Sequence, residues 1–208
     1  MKISILSYGS LVKNAGKLVK GKWTNKETPV LPLELCRIAQ NKRLVLAINE
    51  ENGVANNVYA ATAATTDLNK AIPAFMANQK IGEKQIGIID LVHKTASDKA
   101  NKHPNISRTI ALWARKNGIE AVLFSFLSRK FKDAINIPFS VQNAVTYING
   151  LDAKTKKLQI DYLNSIPAGI ETPVLTVLKD AMPKAKVKAK AKKTPLFGKP
   201  VKPKAKKK

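Results

Sequence analysis

The sequence predicts an α+β fold that ends in a disordered, lysine-rich tail, and three observations carry that reading. The first third is built of short segments with strand-like patterning, while apolar residues in later segments recur at helical spacing. Strands and helices do not alternate regularly, which argues against a doubly wound parallel sheet, and no internal repeat points to a solenoid or propeller. Beyond Met182-Pro183 the composition collapses to Lys, Ala, Pro and Val.

Ile3-Ser4-Ile5-Leu6-Ser7 reads as a short β-branched strand stopped by Tyr8-Gly9-Ser10. Leu33 to Ile38 alternates apolar with polar, and Arg43 to Ile48 follows after the turn-like Gln40-Asn41-Lys42, so an antiparallel pair is expected. Glu50-Glu51-Asn52-Gly53 punctuates the chain, and Val54 to Thr62 adds a further strand. Thr66-Asp67 starts a helix with Leu68, Ile72, Phe75 and Met76 on one side, and Pro73 inside that pattern is expected to kink or shorten it.

Ile86 to Leu91 reads as a buried strand. Ile106, Ile110 and Trp113 mark a helix stopped at Gly118, and Ile119 to Phe126 is strand-like. Ser140 caps a helix carrying Val141, Ala144, Val145 and Ile148 and ended by Gly150. A last amphipathic helix runs from about Asp152 to Asn164, broken by Ile166-Pro167.

The 208 residues suffice for one domain, residues 1–183, and a tail, residues 184–208. Twelve lysines and no acid lie in the tail, which leaves +11 of the formal +23 on the domain. Mutual repulsion and scarce apolar side chains keep such a segment from offsetting its ordering entropy. Its lysines, Lys184, Lys186, Lys188, Lys190, Lys192, Lys193, Lys206, Lys207 and Lys208 among them, are expected to hold nucleic acid or another polyanion without sequence preference. The bland alternative is a solubilising appendage. No helix-turn-helix, zinc-finger or aromatic RNA-binding signature accompanies the tail. Its single apolar insert, Thr194-Pro195-Leu196-Phe197-Gly198, reads as a bland interruption of the tail, with a short docking motif as the alternative.

No apolar run approaches the ~20 residues of a membrane span, and Ile3 to Ser7 is too short for the apolar stretch of a secretory signal. One cysteine makes no internal disulfide, so a cytoplasmic location is expected. Two histidines and one cysteine are too few for the usual zinc site, and neither metal nor cofactor is expected.

A glycine directly after a buried strand lets the backbone turn sharply and present N–H groups to an anion. Tyr8-Gly9-Ser10-Leu11, in that position, resembles the opening signature of the γ-glutamylcyclotransferase-like superfamily. Pro32 to Ile38, Arg43 to Leu46 and Gly53-Val54 are similar to a bacterial branch of it, and the likeness extends through Asp67 to Ile72, Ile86-Gly87 and Phe139-Ser140-Val141. The resemblance implies a small mixed β-barrel flanked by helices. It implies that Tyr8, Gly9, Ser10 and Leu11 hold a small γ-glutamyl or amino-acid-derived ligand. Active members release 5-oxoproline by attack of the substrate's α-amine on its own γ-carbonyl, with a glutamate moving the proton. Aligning Ala71-Ile72 and Phe75 with the family's helix puts Gln79 at that glutamate's position, and an amide does not exchange protons near neutral pH. Glu83, four residues on, substitutes only if the helix shifts by one turn, so binding without turnover is the expectation.

The remaining candidates have duller readings beside the functional ones. Glu34 is an alternative acid if it points inward, but an alternating strand glutamate more often faces water. His93 and His103 read as surface histidines, Cys36 as an inert core thiol, and Trp23 and Trp113 as packing residues. Ser125-Phe126-Leu127-Ser128-Arg129-Lys130-Phe131 joins hydroxyls, cations and aromatics, so it either contacts an anion or is a solvated loop.

Overall fold

The computed structural model describes residues 1–181, so the lysines from Lys184 onward and the boundary at Met182-Pro183 lie outside the described residues. In chain order the strands are β1 (Ile3–Ser7), β2 (Val19–Thr24), β3 (Val30–Ile38), β4 (Leu44–Ile48), β5 (Val54–Asn57), β6 (Tyr59–Ala63), β7 (Ile86–Asp90), β8 (Thr95–Ala96) and β9 (Ala121–Ser125). The helices are α1 (Leu11–Asn14), α2 (Leu68–Gln79), α3 (Asp98–Asn101), α4 (Pro104–Lys116), α5 (Phe131–Ile135), α6 (Val141–Asn149), α7 (Ala153–Ser165) and α8 (Pro173–Ala181). The class is therefore mixed α+β.

The strands form two sheets, one in the order β2-β6-β1-β9-β7-β8 and the other in the order β4-β3-β5. No closed barrel is found among the described residues, because β2 and β8 leave the larger sheet with open edges. β1 and β9 run parallel, and the other pairings are antiparallel.

All five residues of β1 are buried, as a strand covered on both faces requires. Leu6 joins the core shared with the smaller sheet and α4, α6, α7 and α8, while Ile3 and Ile5 pack on the opposite side with Leu11, Ala71 and Phe75. β9 splits the same way, sending Val122 and Phe124 to one core and Ala121 and Leu123 to the other. This period of two is what a pleated strand imposes.

The helix starts follow their capping chemistry. Asp67 accepts from the Asn69 N–H at 3.0 Å, Ser140 from Asn143 at 3.1 Å and Asp152 from Thr155 at 2.9 Å. α2 runs through Pro73 to Gln79, so the proline does not end the helix, which Ala71 and Phe75 anchor in the core on either side. One expectation fails. The expected strand from Val54 to Thr62 is two strands: β5 joins the smaller sheet, and β6 crosses to the larger one.

β4 is an edge strand, and α7 covers it. The Gln159 side chain accepts from the Leu44 N–H at 2.7 Å and donates to the Leu44 carbonyl at 3.0 Å. Tyr162 Oη accepts from the Leu46 N–H at 2.9 Å. Side chains thus supply the ladder that a further strand would have supplied. Gln159→Leu keeps the volume and strands both Leu44 groups out of water. It is expected to cost about 2–4 kcal/mol in denaturant unfolding, and a change under about half of one kcal/mol would contradict the account of this edge.

Candidate functional site

A cavity of about 400 Å³ opens where the end of β1 meets β3, β4, β9, α7 and the last turn of α2. Tyr8, Gly9 and Ser10 form one wall, and Gln79 and Lys80 another. The chain enters this wall because β1 ends at Ser7 and turns at once into α1, with the Val12 N–H bonding to the Gly9 carbonyl. The Ser10 hydroxyl makes no capping bond to α1. Asn78 ties the end of α2 to the C-terminal end of α1 by donating to the Asn14 and Ala15 carbonyls at 3.4 and 3.3 Å.

Two tyrosines fix the floor. Tyr8 donates its hydroxyl to the Ser125 carbonyl at 2.7 Å, and Tyr162 is held by β4. Burial drives the Tyr8 phenol far above its ordinary value and pushes Tyr162 up to about 12, so both stay neutral. Arg43 lies over the Tyr162 ring at 5.4 Å and bonds through Nε to Asn41 at 3.1 Å.

The cavity lining contains Arg37, Arg43 and Lys80 and no carboxylate. Arg37 reaches it through an irregularity in the β3–β4 register: Leu35 faces Leu46 and Arg37 faces Val45, leaving Cys36 without a partner. Such an extra residue re-aims the side chains after it.

The candidate residues separate cleanly. Tyr8, Gly9, Ser10 and Gln79 come together at the cavity, with the Gln79 amide half-buried and donating to Asn78 at 2.8 Å. Leu11 points into the core at 2% exposure. Glu83 does not join them: α2 stops at Lys80 with a left-handed φ of 52°, and Glu83 opens a separate, exposed 3-10 turn.

Glu34 does not face water. It is 0% exposed, its Oε1 accepts from the Leu35 N–H at 2.6 Å, and its Oε2 has no hydrogen-bond partner. Burial raises its pKa from the ordinary 4.5, opposed by Thr172, Leu35 and Val174 at the start of α8. A carboxyl whose folded pKa is raised supports the fold fully in acid and less as pH climbs from the unfolded value through the folded one. Glu34→Gln removes that titration. Its stability relative to the parent is therefore expected to improve as pH rises through the range in which the buried carboxyl ionises. A difference that stays flat between pH 4 and 9 in urea titrations would show that Glu34 does not carry this pH dependence.

Cys36 is buried, and burial pushes its thiol up to about 12, as an inert core thiol should be. His93 is exposed and bonds to Asp90 at 2.7 Å, whereas His103 is part-buried between Glu50, at 2.5 Å, and the Phe126 ring. Trp113 donates to the Glu27 carbonyl at 2.7 Å and Trp23 packs on the α2 side of the larger sheet. Among the described residues no helix is long and apolar enough to cross a membrane, and no three His, Cys, Asp or Glu side chains are grouped to hold a metal.

The cationic lining was missed in the sequence. Arg37 and Arg43 were read only as strand residues, and Lys80 and Tyr162 carried no signal of their own. A scan against protein-family models finds no match to the chain, and searches of curated proteins and of solved structures find none either.

Proposed function

We propose that the domain is γ-glutamylcyclotransferase-like and that its cavity binds a small anionic γ-glutamyl or amino-acid-derived ligand without turning it over. The observation that carries this reading is the cavity lining: three cations, the Tyr8-Gly9-Ser10 turn and an amide, Gln79, with no carboxylate. Cations recognise carboxylates by charge-assisted hydrogen bonds. Cyclisation needs a group that both accepts and returns a proton, and nothing in that lining does so near neutral pH. The six-stranded sheet with β1 and β9 at its centre is compatible with a relative of the family's barrel left open at its edges.

Calorimetric titration of the full chain with a γ-glutamyl dipeptide tests the binding half. Amidating the ligand's carboxylates, or introducing Arg43→Gln, is expected to weaken binding by about tenfold or more. Equal affinity for the acid and its amide would remove the basis for an anionic ligand.

A second reading rests on charge. Twelve lysines follow Pro183 without an acid, and they favour association with nucleic acid or another polyanion by counterion release. The two readings concern different parts of the chain and do not compete.

A further inference from the structure

Beside the cavity, the segment after β9 gathers cations. Arg37 Nη1 donates to the Ser128 carbonyl at 2.8 Å, and Lys99 Nζ donates to Ser128 Oγ at 3.1 Å. A β3 residue and an α3 residue therefore converge on one residue of the loop between β9 and α5. Lys99 is also held 5.6 Å from the centre of the Phe126 ring. Arg129, next in the loop, pairs with Glu51 at 2.6 Å and donates to Asn49 at 3.3 Å. Among the described residues neither Arg37 nor Lys99 has a carboxylate within ion-pair distance.

Both side chains keep donors in reserve, since a guanidinium carries five N–H groups and an ammonium three. Burial, together with Lys102, Arg129 and Arg37, holds the Lys99 ammonium below its usual range, so like charges press on it without a counter-ion. Burial does the same to Arg37. Partly buried cations crowded in this way are stabilised by an arriving anion, above all one with several acceptor oxygens. A loop that only needed fastening would not require two cations from separate elements on one serine.

We propose that Arg37, Lys99 and Ser128 form an oxyanion subsite for a phosphate-type group, next to the cavity and distinct from the lysines of the tail. The inference rests on the cavity reading only through Arg37, which borders both places. Lys99 and Ser128 are outside the cavity lining, so a ligand spanning both would place a phosphoryl group on the Ser128 side and its organic part in the cavity beside Tyr8, Gly9 and Ser10.

The test is a ¹H–¹⁵N NMR titration of the full chain at constant ionic strength, with inorganic phosphate and with O-phosphoserine as separate probes. Saturable shifts at Arg37, Lys99 and residues 126–130 are expected, with affinity reduced about tenfold by Lys99→Met and unchanged by Lys70→Met on α2. Shifts with inorganic phosphate alone identify the free ion as the ligand. Shifts that extend to Tyr8, Gly9 and Ser10 with O-phosphoserine identify a phosphorylated small molecule. If Lys99→Met does not fold, Ser128→Ala decides by the same criterion. Shifts confined to residues 184–208, shifts that never saturate, or equal affinity in a folded Lys99→Met would overturn the subsite. Neither probe is a γ-glutamyl compound, so failure here leaves the γ-glutamyl titration to stand or fall by itself.

Discussion

Gln79→Glu is expected to give the full chain 5-oxoproline release from γ-glutamyl amines, at about 10²–10⁴ times the rate of the unmodified protein. In that reaction the substrate's α-amine nitrogen bonds to its γ-carbonyl carbon, and the bond from that carbon to the leaving amine breaks. A proton leaves the attacking nitrogen and another must reach the departing one. A glutamate at the end of α2 can shuttle it, and the present amide cannot. Arg37, Arg43 and Lys80 line the same cavity. Their charge favours the ionised carboxylate, so activity in the variant should be full at neutral pH and fall only in acid. Glu83→Gln in the same background should change nothing, since Glu83 is exposed on a separate turn. A variant that binds the dipeptide but releases no 5-oxoproline would separate the pocket from the chemistry and remove Gln79 from the proton's path.

Truncation after Pro183 carries the other large effect. It removes twelve lysines and lowers the formal charge from +23 to +11. If about six of those lysines meet phosphates, log affinity for duplex DNA falls with log salt at a slope near −5. The truncated chain should lose about 10³-fold in affinity at 50 mM salt and most of that slope. Filter-binding across a salt series reads both quantities, and sequence should matter little to either. Unchanged retention would move the polyanion surface onto the domain, whose own +11 would then be the reason for it.

Much of the fold was legible because its local signals agree with one another. β1 reads as a strand from its β-branched run, the β3–β4 hairpin from alternation around a turn, α2 and α6 from Asp67 and Ser140 at their starts, and α7 from its amphipathic pattern. β2 escaped because Val19-Lys20-Gly21-Lys22-Trp23-Thr24 is mostly exposed and carries a glycine, so it shows neither a buried run nor clean alternation. α8 escaped because it lies directly before the change in composition. Its apolar face, Val174, Leu175 and Leu178, covers β3 only in three dimensions.

The candidate site was half legible. The turn after β1 stands out because glycine and serine follow a buried strand, whereas Gln79 was reached only through the family resemblance, by aligning Ala71-Ile72 and Phe75 with that family's helix. Arg37 could not be found by counting alternate residues. The irregularity at Cys36 breaks the period, and nothing local announces it. Glu34 was misjudged for a related reason. Alternation assigns it to the outer face of a two-layer sheet, but the start of α8 covers that face.

A titration of the unmodified full chain with a γ-glutamyl dipeptide, read by ¹H–¹⁵N NMR with 5-oxoproline measured in the same tube, bears on binding and chemistry together. Binding without turnover predicts saturable shifts at Tyr8, Gly9, Ser10 and Gln79 with no 5-oxoproline formed over hours. Release of 5-oxoproline by the unmodified chain, or the absence of any shift at those residues, would contradict it.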